Sequence, residues 1–144
     1  MISIELDQHL HDQAVELFGN LKNAEFLLGD SAEVLPKVLE DLHEPALFWL
    51  DGHFSGGITA RDPSVTPILL ELEHILKHPT KGHVILIDDA RLFGSDGYPK
   101  IEEVEEIVHA QGPRTIEVKY DIIRISPVPT DGNPEAKLLS ENGY

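Results

Sequence analysis

The chain has 144 residues, 41% of them apolar and none of them cysteine, which suits one domain around one core and excludes disulfides, thiolate zinc sites and a cysteine nucleophile. Eleven basic side chains against twenty-six acidic ones give a formal charge of −15, a field that repels nucleic-acid backbones and anionic lipid. The opening Met1-Ile2-Ser3-Ile4-Glu5 has no basic stretch followed by an apolar one, and no window approaches a membrane span, so a cytoplasmic location is expected.

Short apolar runs alternate with amphipathic segments, the pattern of βα units that feed a mostly parallel sheet. Strands are expected near 2–6, 24–29, 46–51 and 83–88. Helices are expected from Gln8 to Phe18, from Ser31 to Leu42 and from Ser64 to Lys77, where Ile68, Leu69, Leu72, Ile75 and Leu76 recur at three- and four-residue spacing. Asp30 with Glu33 three residues on fits a helix N-cap and its capping-box partner. A fourth helix starts near Lys100 and is closed by Gln111-Gly112-Pro113. Thr115 to Lys119 and Ile122 to Ile125, joined by Tyr120-Asp121, predict an antiparallel hairpin. A domain over 1–126 is therefore expected, followed from Pro127 by a loosely packed tail through Tyr144, rich in proline and polar residues.

In open α/β sheets ligands bind beyond the carboxyl ends of strands, so the residues that end each run carry the functional information. Glu5 ends the first run, where a carboxylate accepts the hydroxyl hydrogens of a ribose or else simply opens the following helix. Asp30 and Ser31 end the second and suit an adenine edge, a helix cap, or both. Asp51 ends Leu47-Phe48-Trp49-Leu50, and Asp88-Asp89 end Ile85-Leu86-Ile87. If those two runs are neighbouring strands, three carboxylates meet at one rim and repel one another unless a hard cation or a proton neutralises them. Asp51, Asp88 and Asp89 are thus candidate ligands for Mg²⁺, Ca²⁺ or Mn²⁺, set against the plainer reading that they are turn residues. His53 is a candidate ligand or base, its ordinary titration lying near neutrality. Gly56-Gly57 mark a loop suited to closing over a substrate, with Arg61 as a contact for an anion. The remaining histidines show no paired-ligand spacing and are expected on the surface or in packing.

The order SIELD, LLGDSAEVLP, ALFWLDGHFSGG, PILLELEHIL and HVILIDDARLF resembles class I S-adenosylmethionine-dependent methyltransferases over residues 2–126, from the family's second strand to its last. The LDGH and IDDA pair looks most like metal-dependent O-methyltransferases of the macrocin and catechol type. The resemblance implies a three-layer Rossmann-like α/β sheet, mostly parallel with a C-terminal antiparallel hairpin, and a metal-assisted transfer of a methyl group to a small-molecule hydroxyl. It implies that Glu5 binds the cofactor ribose, that Asp30 and Ser31 approach the adenine, that Asp51, Asp88 and Asp89 hold Mg²⁺, and that Asp51 or His53 is the base. The family's first strand and glycine-rich loop would precede Glu5 and have no counterpart in these residues, so an N-terminally truncated sheet is expected. Such a sheet needs closure of strand 2–6 onto strand 46–51, cover from another chain such as a homodimer partner, or further sequence upstream. Two other functions remain open: a non-catalytic binding or oligomerisation module on the same fold, and a metal-dependent hydrolase in which the carboxylates activate water.

Overall fold

The computed structural model describes residues 1–51, 66–95 and 97–129. Its elements follow the sequence pattern closely: β1 Ile2–Glu5, α1 Gln8–Phe18, β2 Glu25–Leu28, α2 Ser31–Glu40, β3 Leu47–Leu50, α3 Pro67–Lys77, β4 Val84–Ile87, α4 Ile101–Ala110, β5 Arg114–Lys119 and β6 Ile122–Pro127. Local chemistry accounts for their ends. Asp7 caps α1 by accepting the amides of His9 and Leu10 at 2.8 and 3.0 Å, and Asp30 caps α2 by accepting that of Ala32 at 2.9 Å. Pro67 opens α3, where a missing N–H costs nothing. Tyr120 and Asp121 both have positive φ, 53° and 63°, which is the two-residue hairpin turn whose twist matches that of its strands. Strand β6 runs two residues past the expected Ile125, with Pro127 opposite Arg114.

The α/β class holds, but the single sheet is divided. Strands β1 and β2 pair in parallel as one sheet, and β3-β4-β6-β5 form the other, in which β3 and β4 are parallel and β6 lies antiparallel to both β4 and β5. Parallel and antiparallel pairings are thus equally represented, in place of a mostly parallel sheet. Closure of strand 2–6 onto 46–51 does not occur among the described residues: β1 pairs with β2 only, and β3 with β4 only. The halves are held together by helices instead. Helix α2 lies over β1 and packs along α3, and α3 packs on α4.

One face of the larger sheet carries the core. Ile85 and Ile87 of β4 and Ile123 and Ile125 of β6 are fully buried with Ile68, Leu72 and Ile75 of α3 and Val104 and Val108 of α4, while Leu35 and Leu39 extend the cluster to α2. The alternate residues of β4, Val84 and Leu86, are only half-buried, and their register partners Leu47 and Trp49 are 64% and 52% exposed. Over this sheet the described residues therefore build two layers, where three were expected. At the amino-terminal ends of β3 and β4, buried His83 accepts the Ala46 amide at Nδ1 (3.1 Å), so its Nε2 carries the hydrogen donated to His78 Nδ1 (3.1 Å). His78 then donates from Nε2 to the Leu39 carbonyl at 2.9 Å. These histidines pack, as expected, and burial holds His83 below the usual imidazole range, in its neutral form.

Replacing Ile125, which faces Ile85 and Ile116 in register, with alanine is expected to cost about 2–5 kcal/mol, because the surrounding β-branched side chains cannot collapse into the void. Leu47→Ala, at an exposed position, should cost less than about 0.5 kcal/mol. Urea unfolding followed by circular dichroism checks both.

Candidate functional site

The carboxyl ends of the first four strands lie at one rim. The Gly29 amide donates to the Glu5 carbonyl at 2.9 Å, joining the ends of β1 and β2, and the Asp88 amide donates to the Leu50 carbonyl at 2.9 Å, joining those of β3 and β4. Helix α2, which packs on β1 and along α3, links the two halves and sets Ser31 near Glu71. The topology thus places Glu5, Asp30, Ser31, Asp51, Asp88 and Asp89 on one side of the molecule.

Their local engagements differ. Glu5 is half-buried and accepts the Asp7 amide through Oε1 at 2.9 Å, which fixes the carboxylate at the β1 end. Asp30 serves as the cap described above, and Ser31 lies near Glu71. Asp51 is exposed at the end of β3. Asp88 turns back on its own chain, accepting the Asp89 amide at 2.8 Å. Asp89 is buried, adopts the left-handed conformation (φ 56°) that aspartate tolerates better than most residues, and pairs with Arg91 Nη1 at 2.7 Å. Arg91 also pairs through Nη1 with Asp121 Oδ2 in the hairpin turn, and its amide donates to Asp121 Oδ1 at 2.8 Å. The Arg91 amide, and after it the guanidinium, hold the Asp121 carboxyl below the usual range, and the carboxylates of Asp121 and then Asp89 raise Arg91.

Part of the charge that a cation would neutralise at this rim is therefore met by an arginine. Among the described residues no group of three or more histidine, aspartate or glutamate side chains is placed to hold a metal ion, so Asp51, Asp88 and Asp89 do not constitute a complete shell. His53, Gly56-Gly57 and Arg61 lie outside the described residues, as do residues 130–144 of the expected tail. For the expected cofactor, the adenosine half has candidate partners in Glu5, Asp30 and Ser31.

Two residues that sequence reasoning passed over belong to this rim. Tyr98 packs its ring on Phe93 at 5.5 Å, and burial together with the charges of Asp89 and Asp51 holds its phenol above the usual range, as a hydrogen-bond donor. Glu71 is only 4% exposed, and its Oε2 has no hydrogen-bond partner among the described residues. Burial is the main cause that raises its carboxyl above the ordinary 4.5; Ser31 opposes the shift and Asp30 adds to it. The signal was present in the sequence, since Glu71 interrupts the apolar stripe of Ile68, Leu72 and Ile75. An open cavity of about 280 Å³, lined by residues including Lys81, Gly112 and Arg114, lies at the opposite end of the strands, away from the carboxylates.

No protein-family model and no curated protein matches this chain. No helix among the described residues is long and apolar enough to cross a membrane.

The sign of the Glu71 effect follows from proton linkage. Its folded-state value lies above the unfolded one, so the folded chain holds the extra proton and stability falls as pH rises from 4.5 through the raised value. Glu71→Gln is expected to flatten that part of the profile and to raise stability near pH 8 by on the order of 1 kcal/mol. Urea midpoints of wild type and variant, compared from about pH 4 to about pH 8, should diverge with rising pH. Subtracting the two profiles removes the opposite contribution of His83, which is lost as pH falls through 6.5.

Proposed function

We propose that this chain is a methyltransferase-type domain that binds the adenosine half of S-adenosylmethionine at the ends of β1 and β2 and presents the acidic ends of β3 and β4 to a small-molecule hydroxyl. The observation that supports this reading is the strand order, β2-β1 followed by β3-β4-β6-β5, with a terminal antiparallel hairpin and acidic residues after each of the first four strands on one rim. That is the order expected of the family without its first strand. Glu5 would accept the ribose hydroxyls, and Asp30 and Ser31 would meet the adenine edge. S-adenosylmethionine, when bound, supplies an electrophilic methyl group. The chain would position the acceptor: Tyr98 donates a hydrogen bond to a substrate oxygen, and Asp51, with His53 two residues on, takes the proton. Since the described residues hold no complete ion shell, no step is assigned to Mg²⁺, and metal assistance is a matter for titration.

A second reading, a non-catalytic binding or oligomerisation module, is favoured by the divided sheet, in which β1 and β3 each pair on one side only among the described residues. Calorimetric titration separates the two. S-adenosylhomocysteine is expected to bind saturably, and Glu5→Ala to weaken it about tenfold or more by removing a charged acceptor. No heat at millimolar ligand would leave the binding-module reading. Titration of Mg²⁺ into wild type and Asp88→Ala tests the ion: indistinguishable traces at millimolar metal would remove it from the proposal.

A further inference from the structure

At the amino-terminal end of the larger sheet, a string of hydrogen bonds with a backbone group at each end ties the connection from α2 to β3 to the connection from α3 to β4. The Ala46 N–H can only donate, so His83 Nδ1 must accept it, and the Leu39 carbonyl can only accept, so His78 Nε2 must carry a hydrogen. Three links run from Ala46 through His83 and His78 to Leu39, and the amide and the two neutral rings hold one hydrogen each to fill them. A fourth hydrogen has no lone pair to meet. Placed on His78 Nδ1 it opposes the Nε2 hydrogen of His83, and placed on His83 Nδ1 it opposes the Ala46 amide. In the first case the Thr80 amide, which shares His78 Nδ1 at 3.3 Å, also loses its acceptor.

The surroundings do not compensate an added charge. His83 is fully buried and stands edge-on to Phe48 of β3, with ring centroids 5.2 Å apart. The charges that act on it are those of His78, Arg114 of β5 and Lys81, each of which repels an imidazolium, and no carboxylate among the described residues joins them. Both permanent cations are fastened beside the rings: Arg114 Nη1 donates to the His83 carbonyl at 2.8 Å and Lys81 Nζ to the His78 carbonyl at 3.1 Å. From the α2 side come two carbonyls, that of Leu39 and that of Leu42, which accepts Thr80 Oγ1 at 3.4 Å.

We infer that this string is an acid-released latch: uptake of one proton by the His78–His83 pair severs it and parts the α2–β3 connection from the α3–β4 connection, while the β4–β6 core stays folded. The two rings act as one switch, because a proton on either breaks the link between them or the link to Ala46. The core is spared because none of the pairings between β4 and β6 uses these side chains. The neutral pair is the form that the fold holds, so the latch is closed above the ordinary histidine range and opens as pH falls below 6.5. Helix α2 packs on both β1 and α3, so acid acts on the carboxyl-terminal end of the element that joins the two halves. The latch does not depend on cofactor or metal binding, and a failure of either proposal leaves the other standing.

Nitrogen NMR of the histidine rings tests this on the full chain, from about pH 8 down to about pH 5. At the upper end both rings should show the Nε2–H tautomer. On acidification they should gain a proton in one shared step below 6.5. In that step amide protection at Ala46 and Thr80, corrected for the intrinsic change of exchange with pH, should fall about tenfold or more, while the β6 amides keep theirs. His78→Gln combined with His83→Gln retains an acceptor and a donor at each position without a group that titrates, so Ala46 protection should then stay constant across the range. An Nδ1–H tautomer in either ring near pH 8, separate ring titrations with Ala46 protection unchanged, loss of β6 protection before or with the step, or an acid response retained by the folded double variant would each overturn the inference. If the double variant does not fold, the tautomers and the coincidence of ring and amide titrations in the wild-type chain decide the matter.

Discussion

The register between β4 and β6, with Ile85 opposite Ile125 and Ile87 opposite Ile123, is the constraint on which the larger half of the molecule depends. Side chains alternate across a sheet, so a slip of one residue would carry all four isoleucines from beneath α3 and α4 to the open face. The Tyr120-Asp121 turn prevents that slip. Its two positive φ angles allow one hairpin register, and Asp121 is fastened at the rim by Arg91 and by donation of the Ala90 amide to its carbonyl at 2.9 Å. The hydrophobic core and the acidic rim are in this sense one construction: the turn that aligns the core strands also supplies the second carboxylate to Arg91.

That arrangement changes how the acids at the rim are to be understood. A cluster of carboxylates needs compensation, and here Asp89 pairs with Arg91 of the same polypeptide, while Glu71 is buried with Oε2 unpaired among the described residues. Their surroundings differ: Asp89 is buried in the arginine pair, whereas burial raises the Glu71 carboxyl above its ordinary value. Tyr98, its phenol raised by burial and then by the charges of Asp89 and Asp51, adds a hydrogen-bond donor to these acceptors.

The divided sheet sets how the two halves are joined. Among the described residues β1 pairs with β2 alone and β3 with β4 alone, so the backbone groups of Ile2 and Ile4 and of Leu47 and Trp49 meet no other strand, and α2, which packs on both β1 and α3, connects the halves.

Hydrophobic period and end signals sufficed to place the helices and strands, because each is a local property: Gln8–Phe18 and the hairpin at Tyr120-Asp121 follow from spacing and turn chemistry, and the cap at Asp30 from a single side chain next to its own helix. The order of acids along the chain was equally legible, since a residue that ends a strand is identified by the strand. What the sequence could not specify was pairing between distant elements. Whether β1 meets β3 depends on hydrogen bonds across more than forty residues of chain, and the tertiary structure left those edges apart under α2 and α3. The pairing of Asp89 with Arg91 was likewise decided in three dimensions, where the hairpin also brings Asp121 to that arginine. Local free energies are written in neighbouring residues, whereas electrostatic and edge-pairing energies depend on distances that only the packed chain defines.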